Sequence, residues 1–289
     1  MRLRALAPGK VNLTLCLGPT RADGRHDLVT VLESLSLADE LVLESLADGH
    51  EDEVICEGVE GENLVHLALA GLRQRGWDGP AVRIEVTKRI PVAAGMGGGS
   101  ADAAAALRMA VEIAPGRPEE VMELAASLGA DVPSQVAPGL VLGTGAGDVT
   151  EPFPPLAPQG VVIVPLPVAL STADVYREAD RLGLSRSPVE LDVVRHQLTL
   201  GFSTELIVND LEPAALSLAP RLGETLGAVL RAGADNAIIC GSGPTVIGLF
   251  WGDDGSLRAR EAAAQLRGEH PAVLTADPVR GGDNGLAAN

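Results

Sequence analysis

The run Pro91-Val92-Ala93-Ala94-Gly95-Met96-Gly97-Gly98-Gly99-Ser100-Ala101-Asp102 sets a cluster of glycines immediately ahead of an alanine-rich segment. With no Cβ in the way, main-chain N–H groups can close on an anion, and the positive end of a helix dipole adds to their pull. The spacing predicts a phosphate-holding loop. It is neither Gly-x-x-x-x-Gly-Lys-Ser/Thr nor Gly-x-Gly-x-x-Gly. The competing reading is a glycine-rich turn before a surface helix. Ser100 carries a hydroxyl that could reach a magnesium ion or a phosphate oxygen, and it is equally suited to cap the helix. The chain holds only two lysines, Lys10 and Lys88, and is otherwise served by arginine. A compact ammonium at those two positions hints at a specific need.

These groups have to be carried by regular elements. Alternation over 10–17 predicts a strand with Val11, Leu13, Leu15 and Leu17 on one face and Lys10, Asn12 and Thr14 on the other. Further strands are expected around 28–37, 40–46 and 54–56, and a helix from Asn63 to near Gly76. A strand over 81–88 delivers the chain into the glycine loop, whose helix runs to about Ile113, and a helix over 118–128 stops at Gly129. The proline-rich stretch 152–158 reads as a linker. The expected division is therefore 1–157, 158–280 and a disordered tail over 281–289. The second part offers helices near 173–182, 189–197, 213–216 and 221–232, with strands near 161–165, 237–240, 245–250 and 272–275. Helices over a small antiparallel sheet make an α+β layering.

At 289 residues with a net charge of −17, the chain can bury a sizeable core and would be repelled by nucleic acid or an anionic membrane. No apolar run reaches transmembrane length, and the first eight residues hold too little apolar sequence for a secretory signal. Cys16, Cys56 and Cys240 form no framework, so reduced thiols in the cytoplasm are expected. The anticipated partner is a small molecule, bound by a monomer or homodimer.

The glycine loop resembles the ATP-binding loop of the GHMP kinases, the family of galactokinase, homoserine kinase and mevalonate kinase, with Met96 at the usual Leu. Seven segments resemble, in order, one branch of that family, which acts on 4-diphosphocytidyl-2-C-methyl-D-erythritol in non-mevalonate isoprenoid precursor synthesis. They are Ala7-Pro8-Gly9-Lys10-Val11-Asn12-Leu13, Arg21-Ala22-Asp23-Gly24-x-His26, Lys88-Arg89-Ile90-Pro91, the loop itself, Leu128-Gly129-Ala130-Asp131-Val132-Pro133, Asn209-Asp210-Leu211-Glu212, and Gly241-Ser242-Gly243-Pro244-Thr245-Val246. The resemblance implies the two-domain GHMP kinase fold, a ribosomal-protein-S5-like α/β domain followed by a ferredoxin-like α+β domain. It also implies ATP and Mg2+ as cofactors and phosphoryl transfer to the C2 hydroxyl of a cytidine diphosphate derivative.

Carried over residue by residue, the resemblance makes Asp131 the base that accepts the hydroxyl proton and Lys10 the cation beside it. Pro91, Ala94, Gly95, Met96, Gly97, Gly98, Gly99, Ser100 and Ala101 would hold the triphosphate, with Asn63 and Lys88 lining the nucleotide pocket and Ser100 as metal ligand. Asn12, Arg25, His26, Tyr176, Gly241, Ser242 and Gly243 would receive the substrate. The residues alone also permit plainer roles. Asp131 and Asn63 could be helix caps, Lys10 an edge-strand lysine, Lys88 a solvent-facing one, Tyr176 a core residue, and Gly241–Gly243 a hairpin turn. Two departures stand out: Arg25 replaces the tyrosine that the family uses to stack on cytosine, and Ser134-Gln135 follows Val132-Pro133 where the family continues with apolar residues. Another small alcohol as substrate, or a non-catalytic nucleotide-binding protein, are the alternatives.

Overall fold

The computed structural model describes residues 1–47, 49–58, 63–115, 117–279 and 286–288. The first half runs β1 (Arg2–Thr20), β2 (His26–Ser45), β3 (Glu53–Cys56), α1 (Leu64–Gln74), β4 (Val82–Thr87), α2 (Gly98–Ile113), α3 (Pro118–Leu128), α4 (Val132–Val136), β5 (Leu140–Thr144) and β6 (Val149–Pro152). The second runs β7 (Gln159–Pro165), α5 (Thr172–Leu182), α6 (Pro188–Leu200), β8 (Val208–Asn209), α7 (Glu212–Leu218), α8 (Arg221–Arg231), β9 (Asn236–Ile239), β10 (Thr245–Trp251), α9 (Gly255–Leu266), β11 (Leu274–Ala276) and β12 (Leu286–Ala288). No described helix is long and apolar enough to cross a membrane.

The first sheet has the order β12-β1-β2-β4-β3, extended by β5 on β2, β6 on β5 and the short parallel strand β8 on β1. The second is the antiparallel sheet β11-β7-β10-β9 under α8 and α9. Both β8 and β12 come from the second half of the chain, so the two halves are stitched through β1. Alternation puts Lys10 and Asn12 on one face, as found, but a register irregularity between Asn12 and Thr14 turns Leu15 to that same face, away from Val11 and Leu13, and from Ala7 to Leu17 every residue is buried. Leu3, Ala5 and Ala7 pack into the core around α1 and α2, whereas Val11 and Leu13 pack against Ile163 and Ile247 of the second sheet. The change of partner falls at a register irregularity between Pro8 and Lys10. Such irregularities re-aim side chains.

Helix α2 is buried throughout Ala101–Ala110. Its alanines allow close approach to β1, α1 and α4, which is how one helix touches three elements that carry site residues. Three expectations are corrected. The strands anticipated at 28–37 and 40–46 are one strand, β2, because Ala38 and Asp39 between them stay paired with Pro8 and Ala7 of β1. Helix α9 and strands β5 and β6 had no distinct signal, since α9 is largely alanine and charge and the two strands are short. The tail is in part ordered: Leu286–Ala288 pairs antiparallel with Leu3–Ala5, supplying backbone partners to the free edge of β1, while 281–285 and 289 lie outside the described residues.

Candidate active site

The glycine loop is anchored from below and open above. The side chains of Ala94 and Met96 pack into the cluster between the sheets, and Gly95 (φ 75°) between them and Gly97 (φ 67°) after them take left-handed conformations. A Cβ on Gly95 would lie 2.7 Å from the carbonyl oxygens of both Cys240 and Gly243, so the β9–β10 turn clamps the loop and only glycine fits. Gly97 caps α2, which starts at Gly98. Ser100 is therefore inside the first turn, and the reading of it as a cap is corrected. The loop from Pro91 to Ser100 walls a cavity of about 360 Å³, together with Asn63, Lys88 and Asp102. Ala101 is fully buried behind that wall, its N–H donating to Gly97 O.

Lys88 does not point to solvent. Its Nζ donates to Asp39 Oδ2 (2.5 Å) and Asp102 Oδ2 (2.7 Å), and Asp39 Oδ1 also accepts the N–H groups of Arg89 and Ile90. Burial opposes the charge on Lys88, but the two carboxylates outweigh it and hold the ammonium's pKa above its ordinary value. Burial pushes the Asp102 carboxyl up, against the pull of Lys88. The other Asp102 oxygen, Oδ1, is buried without a hydrogen-bond partner. Asn63 caps α1, its Oδ1 accepting from Val65 N (2.9 Å), and it also lines the cavity.

A second cavity of about 330 Å³ abuts the first, and Gly95 and Gly97 line both. On its wall Lys10 Nζ stands 3.4 Å from Asp131 Oδ2. The same Nζ donates to Asn12 Oδ1 (2.9 Å), Asn12 Nδ2 to Thr30 Oγ1 (2.9 Å), and Thr30 Oγ1 to Thr14 O (2.6 Å). Lys10 is 5% exposed, so the edge-strand reading is corrected. Burial lowers its pKa, but the Asp131 carboxylate and the nearby Cys240 raise it by more, keeping the lysine charged. Asp131 sits at the residue before α4, yet its side chain makes no capping bond; it is 36% exposed and opens onto the cavity. Ser134 Oγ donates to Asp131 O (2.8 Å), steadying the backbone beneath the carboxylate.

Gly241 and Ser242 line the same cavity, with Ser242 Oγ 2.9 Å from Thr172 Oγ1, while Gly243 backs onto Gly95. The turn is at once a hairpin connection and a cavity wall. Tyr176 of α5 lines the cavity and also packs into the second-half core. Burial, then the Asp131 charge, push its phenol up to about 12. The buried His26 stands behind it, ring centroids 5.3 Å apart, with Nε2 2.8 Å from Asp180 Oδ1. Arg25 is placed differently from its anticipated stacking role. Its exposed guanidinium is held by Asp23 (3.0 Å) and Asp148 (2.9 Å) and is not on the wall, although Ala146 and Gly147, just before Asp148, are.

Sequence reasoning missed Thr30, Thr172 and the 146–147 turn, whose elements meet the site only through tertiary packing. It noticed Asn209 and Glu212 without a role for them. Asn209 Nδ2 donates to Ile239 O (2.8 Å) and Gly241 O (2.7 Å), and Glu212 Oε2 accepts from Ile239 N (3.2 Å), so together they brace the β9–β10 turn.

The pattern of the GHMP kinases N terminal domain matches residues 63–139, and that of the GHMP kinases C terminal matches residues 196–270. The chain is 40% identical to the 4-diphosphocytidyl-2-C-methyl-D-erythritol kinase of Corynebacterium efficiens, over 97% of this chain and 95% of that one. It is 38% identical to the enzyme of that name from a Nocardioides species, over 95% and 97%. Among solved structures, that of 4-(cytidine 5'-diphospho)-2C-methyl-D-erythritol kinase superposes with a TM-score of 0.75 at 33% identity, covering 95% of this chain and 98% of the other.

Proposed function

The chain belongs to the GHMP kinases, and on that footing we propose that it transfers the γ-phosphoryl group of ATP to the C2 hydroxyl of 4-diphosphocytidyl-2-C-methyl-D-erythritol. The observation that carries the reading is the Lys10–Asp131 pair at 3.4 Å, set where two cavities meet across Gly95 and Gly97. One cavity suits a nucleoside triphosphate and the other an alcohol, so the reacting groups would be delivered from opposite sides of the loop. Phosphoryl transfer needs positioning and charge stabilisation rather than a covalent intermediate on the protein.

In this mechanism the loop N–H groups and the start of α2 hold the phosphates. Asp131 takes the hydroxyl proton as the oxygen attacks. Lys10 holds Asp131 in place and offers its charge to the transferring group. Tyr176 presents the ring on which a cytosine base stacks, and His26 fixes its orientation from behind. The site fits a magnesium ion: Ser100 offers a hydroxyl on the cavity wall, and Asp102 Oδ1 is a buried carboxylate oxygen with no other partner. Bound there with the nucleotide, magnesium supplies screening of the phosphate charge.

The test is ATP consumption by the purified protein with the cytidine substrate and magnesium, beside Asp131→Asn and a panel of homoserine, mevalonate and simple sugars. Turnover confined to the cytidine substrate and lost in the variant is expected. Turnover on another alcohol, or none at all, overturns the substrate assignment.

A further inference from the structure

Arg108 lies in the third turn of α2, nine-tenths buried, with no carboxylate within ion-pair distance among the described residues. Burial alone acts on its guanidinium, drawing the pKa down to about 10. A cation is costly in such a place unless fixed acceptors compensate it. Here the acceptors are two main-chain carbonyls: Nη1 donates to Gln135 O (2.5 Å) and Nη2 to Leu6 O (2.7 Å). Leu6 precedes Lys10 on β1 by four residues, and Gln135 follows Asp131 by four. Gln135 O belongs to the last turn of α4, where carbonyls lack partners within the helix and attract a cation.

We propose that Arg108 is a positioning residue, whose planar guanidinium brackets β1 and α4 from behind and thereby sets the separation of Lys10 and Asp131. The polar pair Ser134-Gln135 belongs to the same device. Ser134 Oγ holds Asp131 O, and Gln135, 1% exposed, reaches Ser134 Oγ through Nε2 (3.4 Å) and Ser34 Oγ through Oε1 (3.5 Å). Arg108 takes only the main-chain carbonyl of Gln135, while the two polar side chains hold Asp131 O and Ser34 Oγ. The nucleotide loop sits at the far end of α2, about 15 Å along the helix from Arg108 at 1.5 Å per residue. The bracket therefore acts on the acceptor side of the site. This inference rests on Asp131 acting as the base.

The experiment compares Arg108→Met and Arg108→Lys with the unsubstituted enzyme for kcat, for KM of each substrate and for thermal unfolding. Val229→Ala in the second-half core serves as a comparator that is destabilised away from the site. Arg108→Met is expected to lower kcat by about 10- to 100-fold, the scale of a misplaced catalytic group, with KM for ATP within about twofold. Arg108→Lys keeps the charge and one carbonyl and should recover part of that loss, while Val229→Ala loses thermal stability with kcat unchanged. A folded Arg108→Met enzyme with unaltered kcat overturns the proposal, and so does a rise in KM for ATP that parallels the fall in kcat. If the methionine variant does not fold, Arg108→Lys decides: reduced kcat at unchanged melting temperature supports the bracket, and full kcat overturns it. Asp131→Asn, run alongside, separates the two levels. Full turnover in Asp131→Asn overturns the assignment of the base, whereas its inactivity with a fully active Arg108→Met overturns only the bracket.

Discussion

The two cavities that share Gly95 and Gly97 are assembled in opposite ways. The cavity proposed for the nucleotide is nearly all one stretch of chain, Pro91–Asp102, with Asn63 and Lys88 added at its rim. The cavity proposed for the acceptor collects Lys10 and Asn12 from β1, Thr30 from β2, Asp131 before α4, Tyr176 from α5 and Gly241–Ser242 after β9. A contiguous loop can hold phosphate by its own backbone geometry. A pocket built from at least five segments depends on how two sheets dock, so it is the half in which substitutions far from the chemistry should change specificity.

The largest effect tests that contrast directly. Asp131→Asn should lower kcat by about 10³-fold or more while ATP affinity, measured by nucleotide titration, stays close to that of the parent. A matching loss of ATP affinity would mean that the two cavities are not separable. Gly95→Ala should breach both at once, since it forces a left-handed conformation on an alanine and drives Cβ into two carbonyl oxygens. A loss of about 1–3 kcal/mol in stability is expected in denaturant titration, with weaker binding of both substrates.

Tyr176→Leu should raise KM for the cytidine substrate by about tenfold, the scale of one lost base–aromatic stack, and leave KM for ATP alone. A parallel rise for ATP would place the tyrosine in the core rather than at the substrate. Glu33 sharpens the comparison through pH. It is buried between the sheets, where its Oε2 accepts from Gln159 Nε2 (2.7 Å), and burial pushes its carboxyl up to about 8. The folded protein holds a proton there that the unfolded chain releases above its ordinary value near 4.5. Stability should thus fall as pH rises through that window, with a slope approaching about 1.4 kcal/mol per pH unit, and Glu33→Gln should flatten the curve. An unchanged slope in the variant refutes this. The smallest effect is expected for Arg25→Ala: with its guanidinium committed to Asp23 and Asp148, KM for the cytidine substrate should move less than about threefold. A larger change would show that Arg25 turns inward when substrate binds.

How much of this was legible in advance varies with the distance over which each feature is determined. Helix α3 matches its expected limits, and α1 and α2 follow closely, because caps, glycines and periodicity act within a few residues. Lys10 and Asn12 were placed together by strand alternation, and their side chains do meet. Arg25 was placed by motif position alone, and its nearest carboxylates, one of them 123 residues away, had no sequence signal. Lys88 was noticed as a rare lysine, while its two partners Asp39 and Asp102 come from β2 and α2.

The sequence by itself determined the glycine loop, the family and the residues proposed to react. Each of these rests on local backbone chemistry or on the order of short segments along the chain. Only the tertiary structure decided that Lys10 is buried and charged beside Asp131, that the β9–β10 turn clamps Gly95, and that an unpaired arginine ties β1 to α4. Those facts depend on close packing between segments up to 230 residues apart. Burial and through-space charge have no period along a chain and become definite only when the elements dock.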